Sequence, residues 1–360
     1  MDSRLLTSLN ATAATTEDPV VWAVTVCRAA SHFARHGMTR EALTAIGVVR
    51  AHYGTALHPE VASWLLLAEG VLHYFGAPNY DAHERLRQAY RSAAVLRTDS
   101  ALPTCAAWMA LVEFNEGDYD KMISYLQEAL ARARPDDHSA HARAYLVLAD
   151  AYHVANEYQL ARPLYNKARL RAVDDGDNAT LSAVFHNVAA VRASNLRLDD
   201  SLGVDVVRQA HMVSLEMASS MHYDHAIGSK GLGFLSLMLR GLVYTMEKKY
   251  VDALITFSSI TLKQLKINMF STVYVDMAWC HMNLSNFEES ARLAKLANET
   301  ISNVVEPDDR AYVFARLGQI ASMSGENEIA VEMRISASHS LAEHRLFQAN
   351  LLGKLRSMKV

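Results

Sequence analysis

The sequence has few of the residues that interrupt helices or cross-link a chain. Only 7 of its 360 residues are Pro and 15 are Gly, and both residue types are unfavourable inside a helix. Their scarcity favours a helical protein. The three cysteines, Cys27, Cys105 and Cys280, are odd in number and far apart. A disulfide framework is therefore not expected, and the sequence favours a reduced, cytoplasmic protein.

Long apolar runs and a strong charge bias are also lacking. No apolar run reaches the ~18 residues that a membrane span needs, and the first residues lack the apolar stretch of a signal peptide. The formal net charge of −4 argues against a protein that binds nucleic acid by neutralising phosphates. Residues 1–19 are polar and rich in Thr and Ala, so we expect a flexible lead-in there.

A pattern of large and small residues recurs along the chain. In its clearest copy, residues 142–174, these residues share one face of each of two predicted helices separated by a short turn. They are Tyr145, Leu148, Ala149 and Tyr152 in the first helix and Ala161, Tyr165 and Ala168 in the second. The small residue of the first helix lets the second helix approach closely. Eight copies are in register, with their small residues at Ala30, Ala68, Ala110, Ala149, Ala189, Gly241, Ala278 and Gly318.

This pattern resembles that of the tetratricopeptide repeat family over residues 20–341. The resemblance implies an all-α fold, a right-handed superhelical solenoid of about eight helix-turn-helix repeats. Most small residues lie 37–42 residues apart, against about 34 in the family. That longer period resembles the repeats of bacterial signalling and sensory regions. The alternative fold is a helical bundle without repeats.

Two segments depart from the regular pattern. The small residues Ala189 and Gly241 are 52 residues apart, which predicts a joint near 198–233. We expect an extended second helix there, followed by a loop at 228–233. Residues 342–360 include an amphipathic stretch and are predicted to form a capping helix and tail that shield the final repeat.

No arrangement of residues specifies catalysis. Residues 228–233 lack both the spacing and the preceding strand of a phosphate-binding loop. Paired histidines, such as His138 with His141 and His222 with His225, lack the further ligands of a recognisable metal site. We therefore predict no catalytic residue, no metal and no cofactor, and the chain is not expected to be an enzyme.

The resemblance implies that a ligand binds the concave face formed by the first helices of the repeats. Positions carried over from the family are polar or charged in the N-terminal half and include Trp, Met and Tyr in the C-terminal half. An extended peptide with an apolar end would suit such a groove. The candidate contact residues are Arg35, Glu69, Arg143, Asp150, His153, His186, Asn187, Met246, Thr272, Trp279, Tyr312 and Gln319.

The sequence thus predicts a non-enzymatic scaffold or receptor that binds a protein or peptide, in bacterial signalling or regulation. Neither nucleic acid nor a membrane is an expected partner, and a homodimer is compatible with the sequence. Two alternatives stay open. One is a sensory or regulatory region that acts on an output partner in a cyclic-dinucleotide or response-regulator pathway. The other is a phosphatase built from the same repeats.

Overall fold

The computed structural model describes residues 3–54, 56–76, 80–231, 233–260, 265 and 267–358. In these ranges the chain forms seventeen α-helices and no strand, and none of the helices could cross a membrane. A single helix, α1 (Arg4–Thr15), precedes eight consecutive pairs. The pairs are α2 (Pro19–Arg35) with α3 (Thr39–Tyr53), α4 (Pro59–Gly76) with α5 (Tyr80–Leu96), α6 (Leu102–Glu116) with α7 (Tyr119–Arg132), α8 (His138–Val154) with α9 (Tyr158–Asp175), α10 (Asn178–Ser201) with α11 (Val207–Ala226), α12 (Gly233–Met246) with α13 (Tyr250–Ser258), α14 (Phe270–Asn283) with α15 (Phe287–Thr300), and α16 (Pro307–Met323) with α17 (Asn327–Ser357). The predicted all-α fold of about eight helical repeats is confirmed.

The small residue of each repeat lies in the first helix of its pair, and the two that are glycines pack against the second helix. All eight predicted small positions are in first helices and are buried. At Gly241, an added Cβ would lie 2.6 Å from the ring of Phe257 on the paired helix. At Gly318, it would lie 3.4 Å from the carbonyl oxygen of Ala330. A larger side chain at these positions would push the second helix away.

Among the turns that the structure describes, six join their helix pairs in the same way. Seven residues after the small position, the backbone is left-handed, at Gly37, Gly117, Asn156, Lys248, Ser285 and Gly325. The N–H of the next residue then donates to a carbonyl five residues earlier, as Asp118 does to Glu113 at 2.9 Å. This Schellman arrangement satisfies carbonyls at the end of the first helix. It also fixes where the second helix begins.

The fifth repeat is longer because both of its helices are extended. Its left-handed residue is Gly203, fourteen residues after Ala189, and Val204 donates to Asp199 at 3.0 Å in the same Schellman pattern. The seven additional residues make nearly two helical turns. The end of α10 therefore has nearly the same orientation about the helix axis as it would have without them. The sequence predicted an extension of the second helix only. Of the predicted loop at 228–233, residues 228–231 lie between α11 and α12, residue 232 lies outside the described residues, and Gly233 begins α12.

The helices form two compact units, each with its own hydrophobic core. Unit 1 comprises residues 1–184, 222–232 and 351–360, and unit 2 comprises residues 185–221 and 233–350. In unit 1, Trp64, Leu67 and Met109 belong to the largest cluster of buried side chains. In unit 2, Tyr312 and Leu317 belong to one of several clusters.

The expectation of a flexible lead-in at residues 1–19 is wrong, because residues 4–15 form α1. The Ser3 hydroxyl caps this helix by accepting a hydrogen bond from the Leu6 N–H at 3.3 Å. Leu5 and Leu9 are buried against α2, where they contact Ala29 and Phe33. Two leucines one turn apart are a weak signal in a segment rich in Thr and Ala, so composition alone missed the helix.

The prediction of a separate capping helix at residues 342–360 is also wrong. Helix α17 has 31 residues and continues through this region without a break. Its last turns belong to unit 1, where Leu351 and Leu355 are buried. In the same turns Lys354 pairs with Asp120. The amphipathic pattern was real, but its apolar side packs in unit 1 instead of shielding the final repeat.

Candidate binding pocket of unit 1

One pocket in unit 1 is lined by the first helices of five consecutive repeats. These helices are α2, α4, α6, α8 and α10, and α1 and the end of α9 complete the wall. The free space is about 460 Å³, its open mouth included. Charged, hydroxyl-bearing and apolar side chains all contribute. They are Arg28, Arg35, Arg143 and Asp175; Ser31, Thr104, Ser139 and Thr180; and Leu5, Trp64, Leu67 and Trp108.

Helical spacing brings these side chains to the pocket. Arg28, Ser31 and Arg35 follow one another at intervals of three and four residues on α2. Thr104 with Trp108 on α6 and Ser139 with Arg143 on α8 are each four residues apart. Residues at such intervals share one face of a helix. Each first helix therefore presents one stripe of side chains to the pocket.

Arg35 is held at the base of the pocket by Asp177, the residue just before α10. Its Nη1 donates to Asp177 Oδ2 at 2.6 Å and to the Thr180 hydroxyl at 3.0 Å. The Thr180 hydroxyl donates to the same Asp177 oxygen at 2.7 Å. Burial by itself would raise the pKa of Asp177, but the nearby Arg35, and His32 at 3.7 Å from its other oxygen, hold it well below its ordinary value. Arg35 and Asp177 thus form a closed, charge-neutral pair.

A second ion pair lies at the pocket wall. Arg28 is 3.8 Å from an oxygen of Asp175, and its guanidinium lies 6.0 Å from the ring centre of Trp64. The other oxygen of Asp175 is buried and has no hydrogen-bond partner among the described residues. Burial, and then the neighbouring Asp177, raise the pKa of Asp175.

Arg143 differs from the other two arginines, because it makes no ion pair among the described residues. It is 7% exposed, and its guanidinium lies 4.2 Å from the ring centre of Trp108. Within the described part of the chain it has no hydrogen-bond acceptor either. Burial, and then the charge of Arg35, lower the pKa of Arg143 to about 10, although the more distant carboxylates of Asp177 and Asp150 act in the opposite direction. The group therefore stays cationic at neutral pH.

Of the twelve predicted contact residues, only Arg35 and Arg143 line this pocket. Glu69 accepts a hydrogen bond from Arg50 at 2.9 Å, and Arg85 lies 3.3 Å from its other oxygen.

Asp150 and His153 are joined by one hydroxyl group. The hydroxyl of Tyr165 donates to Asp150 at 2.7 Å and lies 3.1 Å from His153 Nδ1. Three residues predicted to face a ligand, Glu69, Asp150 and His153, are thus buried and partnered inside unit 1.

Three further predicted residues, Trp279, Tyr312 and Gln319, meet in a network within unit 2. The fully buried Tyr312 donates its hydroxyl to Asp276, whose pKa burial raises to about 6. Arg316 lies 4.4 Å from the ring centre of Trp279 and donates to Gln319 at 2.7 Å.

Both arginines of this network have a carboxylate partner. Arg316 pairs with Asp200. Arg197 lies 4.3 Å from the ring centre of Tyr312 and pairs with Asp309. The network is closed by groups of unit 2 itself.

The remaining four predicted residues belong to the packing of unit 2. Met246 is fully buried in a core cluster. Thr272 is buried and donates to the Met269 carbonyl at 2.9 Å. Burial lowers the pKa of His186 to about 4, and the adjacent Asn187 is half-buried on α10.

Sequence reasoning missed Arg28, Trp64, Trp108 and Asp175 as pocket residues. Trp64 also contributes its large side chain to the core of unit 1. Trp108 lies one helical turn after Thr104. A search for aromatic residues one turn from polar groups on each first helix would have found it.

Comparison with protein families identifies residues 103–169 as tetratricopeptide repeat. The matched segment covers nearly all of the third and fourth helix pairs. It contains four pocket residues, Thr104, Trp108, Ser139 and Arg143. A comparison with curated proteins finds no match.

Proposed function

We propose that the chain is a non-enzymatic binding protein that holds a peptide segment of a partner in the pocket of unit 1. Residues 103–169 match the tetratricopeptide repeat family, whose repeats generally mediate protein–protein interactions. The free cysteines favour the cytoplasm as the protein's setting, and the long repeats favour a signalling or regulatory pathway.

The observation that carries this proposal is that five consecutive first helices converge on one open pocket. Packing inside a repeat array needs contacts between neighbouring repeats only. A pocket to which repeats one to five all contribute is suited to an elongated ligand that touches several of them.

The kinds of side chain in the pocket also suit a peptide. Trp and Arg are the residues that most often dominate binding energy at protein interfaces, and both line this pocket. The hydroxyls of Thr104 and Ser139 can each donate to and accept from a peptide backbone. The Ser31 hydroxyl donates to the Cys27 carbonyl at 3.2 Å and can still accept. We therefore assign side-chain anchoring to the tryptophans and backbone contacts to the hydroxyls.

The thiol groups support a binding role over covalent catalysis. Cys27 and Cys280 are buried, and burial raises the pKa of both thiols to about 12. Cys105 is buried too, and its pKa is raised for the same reason. A thiol is nucleophilic only as the thiolate. All three therefore act as small packing groups.

Site-specific photo-cross-linking in cells tests the proposal. A benzophenone amino acid at Ser139, which lines the pocket, should cross-link a defined partner peptide that mass spectrometry can identify. The control position is Leu170 on the second helix α9, whose side chain is 54% exposed. The same peptide captured equally from both positions, or from neither, would refute binding in the pocket. Release of phosphate from phosphorylated signalling proteins by the purified chain would refute the non-enzymatic role.

A further inference from the structure

We infer that the pocket of unit 1 accepts a single carboxylate group, which pairs with Arg143 against the face of Trp108. This inference rests on the proposed function, because it names the chemical group that the partner inserts.

Two of the three arginines that line the pocket make ion pairs. Arg35 pairs with Asp177 at 2.6 Å, and Arg28 lies 3.8 Å from Asp175. Arg143 has no such close partner among the described residues. Asp150, two turns further along α8, accepts a hydrogen bond from Tyr165 and acts on Arg143 as a more distant charge. A carboxylate bound in the pocket would give Arg143 the close ion pair that Arg28 and Arg35 already have.

Unit 2 contains the same arrangement with the anion in place. Arg316 lies on Trp279 at 4.4 Å and Arg197 lies on Tyr312 at 4.3 Å, close to the 4.2 Å of Arg143 on Trp108. Each of the two arginines in unit 2 pairs with an aspartate of its own unit, Asp200 or Asp309. In the part of the chain that the structure describes, no aspartate makes the corresponding ion pair with Arg143.

A buried cation without a hydrogen-bond acceptor is unfavourable, because burial removes its water and the ring of Trp108 replaces the lost interactions only in part. Arg143 is as buried as a core residue and still opens onto the pocket. The planar guanidinium can bind both oxygens of a carboxylate at once. Ser139 and Thr104, one turn before Arg143 and Trp108, line the same pocket and carry hydroxyls that can donate to those oxygens.

The first test compares two variants without any ligand. Met is similar in length to Arg and can keep contact with an aromatic ring, so each substitution removes the charge at little cost in packing. In buffer free of carboxylates, Arg143→Met should raise the midpoint of thermal unfolding. Arg316→Met should lower it, since Asp200 loses its partner. A fall with Arg143→Met as large as that with Arg316→Met would show that Arg143 is structural and would overturn the inference.

The second test uses small probes on the full chain. At constant ionic strength, sodium propionate should raise the unfolding midpoint of the wild type, and the neutral isostere propionamide should not. Arg143→Met should weaken propionate binding at least about tenfold, and Arg143→Lys should retain part of it. Equal responses to propionate and propionamide, or an unchanged response in Arg143→Met, would overturn the inference.

Peptides then distinguish the sources of the carboxylate. The probe is an array of ten-residue peptides, made with free and with amidated C-termini and with Asp and Glu or their amides. Loss of binding on amidating the terminus assigns a C-terminal carboxylate, and loss on changing Asp or Glu assigns an acidic side chain. Peptides that bind regardless of both changes would overturn the carboxylate inference and leave the proposed function standing. Binding of propionate without binding of any peptide would refute the proposed function and leave the carboxylate inference standing.

Discussion

The distance between the two helices of a repeat depends on the size of a single side chain. Gly241 lets the ring of Phe257 come within 2.6 Å of the position that a Cβ would occupy. Gly47, in the middle of α3, has no atom within 4 Å of the same position. Gly241 is crowded and Gly47 is not. The same substitution at both positions therefore distinguishes the effect of packing from the effect of helix propensity.

We predict that Gly241→Ala destabilises the protein by about 1–3 kcal/mol, because the Phe257 ring must move in a packed core. Gly47→Ala should instead stabilise it by up to about 1 kcal/mol, since Ala is a better helix former and meets no neighbour. Urea unfolding followed by circular dichroism measures both. A stabilising effect of Gly241→Ala would show that the small residue is not what sets the approach of α13.

His36 is a buried base without hydrogen-bond partners. Neither ring nitrogen has a partner among the described residues, and the ring lies 4.5 Å from that of His32. Burial first, and then the nearby His32 and Arg35, lower its pKa to about 3, although Asp177 acts in the opposite direction. Protonation therefore favours the unfolded chain.

The sign of the resulting pH dependence follows from these pKa values. Below about pH 6.5 the unfolded chain binds a proton at this position, and the folded chain does so only near pH 3. His36 therefore lowers the stability progressively between these values, by roughly 2 kcal/mol at pH 5. His36→Phe should remove this contribution. The loss of urea stability from pH 7 to pH 5 should be smaller in the variant than in the wild type, and equal losses would contradict the assignment.

At the scale of helices and turns, the repeated left-handed residue is the most regular feature of the chain. Glycine occupies it in three of the six common turns, and Asn156, Lys248 and Ser285 occupy it in the others. A left-handed conformation costs a residue with a Cβ about 1–2 kcal/mol. Three turns therefore retain a strain that glycine would relieve.

We predict that Ser285→Gly and Lys248→Gly each stabilise the protein by about 0.5–1 kcal/mol, and that Asn156→Gly does so by less because Asn tolerates this conformation better. Both Ser285 and Lys248 are exposed, so few contacts are lost. Ser285→Ala is the matched control. It removes the hydroxyl but keeps the Cβ, so it should bring no gain in the midpoint of thermal unfolding. A gain equal to that of Ser285→Gly would exclude backbone strain as the cause.

The helix pairs could be predicted from the sequence because small and large residues at helical spacing are a local signal. The first helix and the continuous α17 could not, since Leu5, Leu351 and Leu355 are buried by residues far away in the chain.

Only part of the pocket could be predicted, because local spacing shows which residues share a helix face but not which distant residues they meet. Arg35 and Arg143 follow from the inward positions of the family pattern. The partner of Arg35, Asp177, lies 142 residues away, and no local pattern of the sequence pairs them. Ion pairs between distant segments decide which predicted residues stay open to a ligand, and periodicity does not contain that information.

At the scale of the whole chain, unit 1 is assembled from segments that are far apart in the sequence. The segment 222–232 packs there through Lys230, whose N–H donates to the His36 carbonyl at 3.0 Å. A Cβ at Gly231 would lie 2.1 Å from the Arg35 carbonyl oxygen, so only glycine allows this approach. Stacked repeats ordinarily contact their neighbours only. Unit 1 therefore needs residues that come much later in the chain.

The end of α17 makes this dependence testable. Leu355 is 1% exposed in unit 1, whereas Leu346 on the same helix is 63% exposed. Leu355→Ala should destabilise unit 1 by about 2–4 kcal/mol, because it leaves a cavity beside Tyr152. Leu346→Ala, the same change at an exposed position, should cost less than about 0.5 kcal/mol. Amide hydrogen exchange measures the effect locally. Leu355→Ala should speed exchange in α8 and α9, and unchanged protection there would mean that unit 1 is complete without the last turns of the chain.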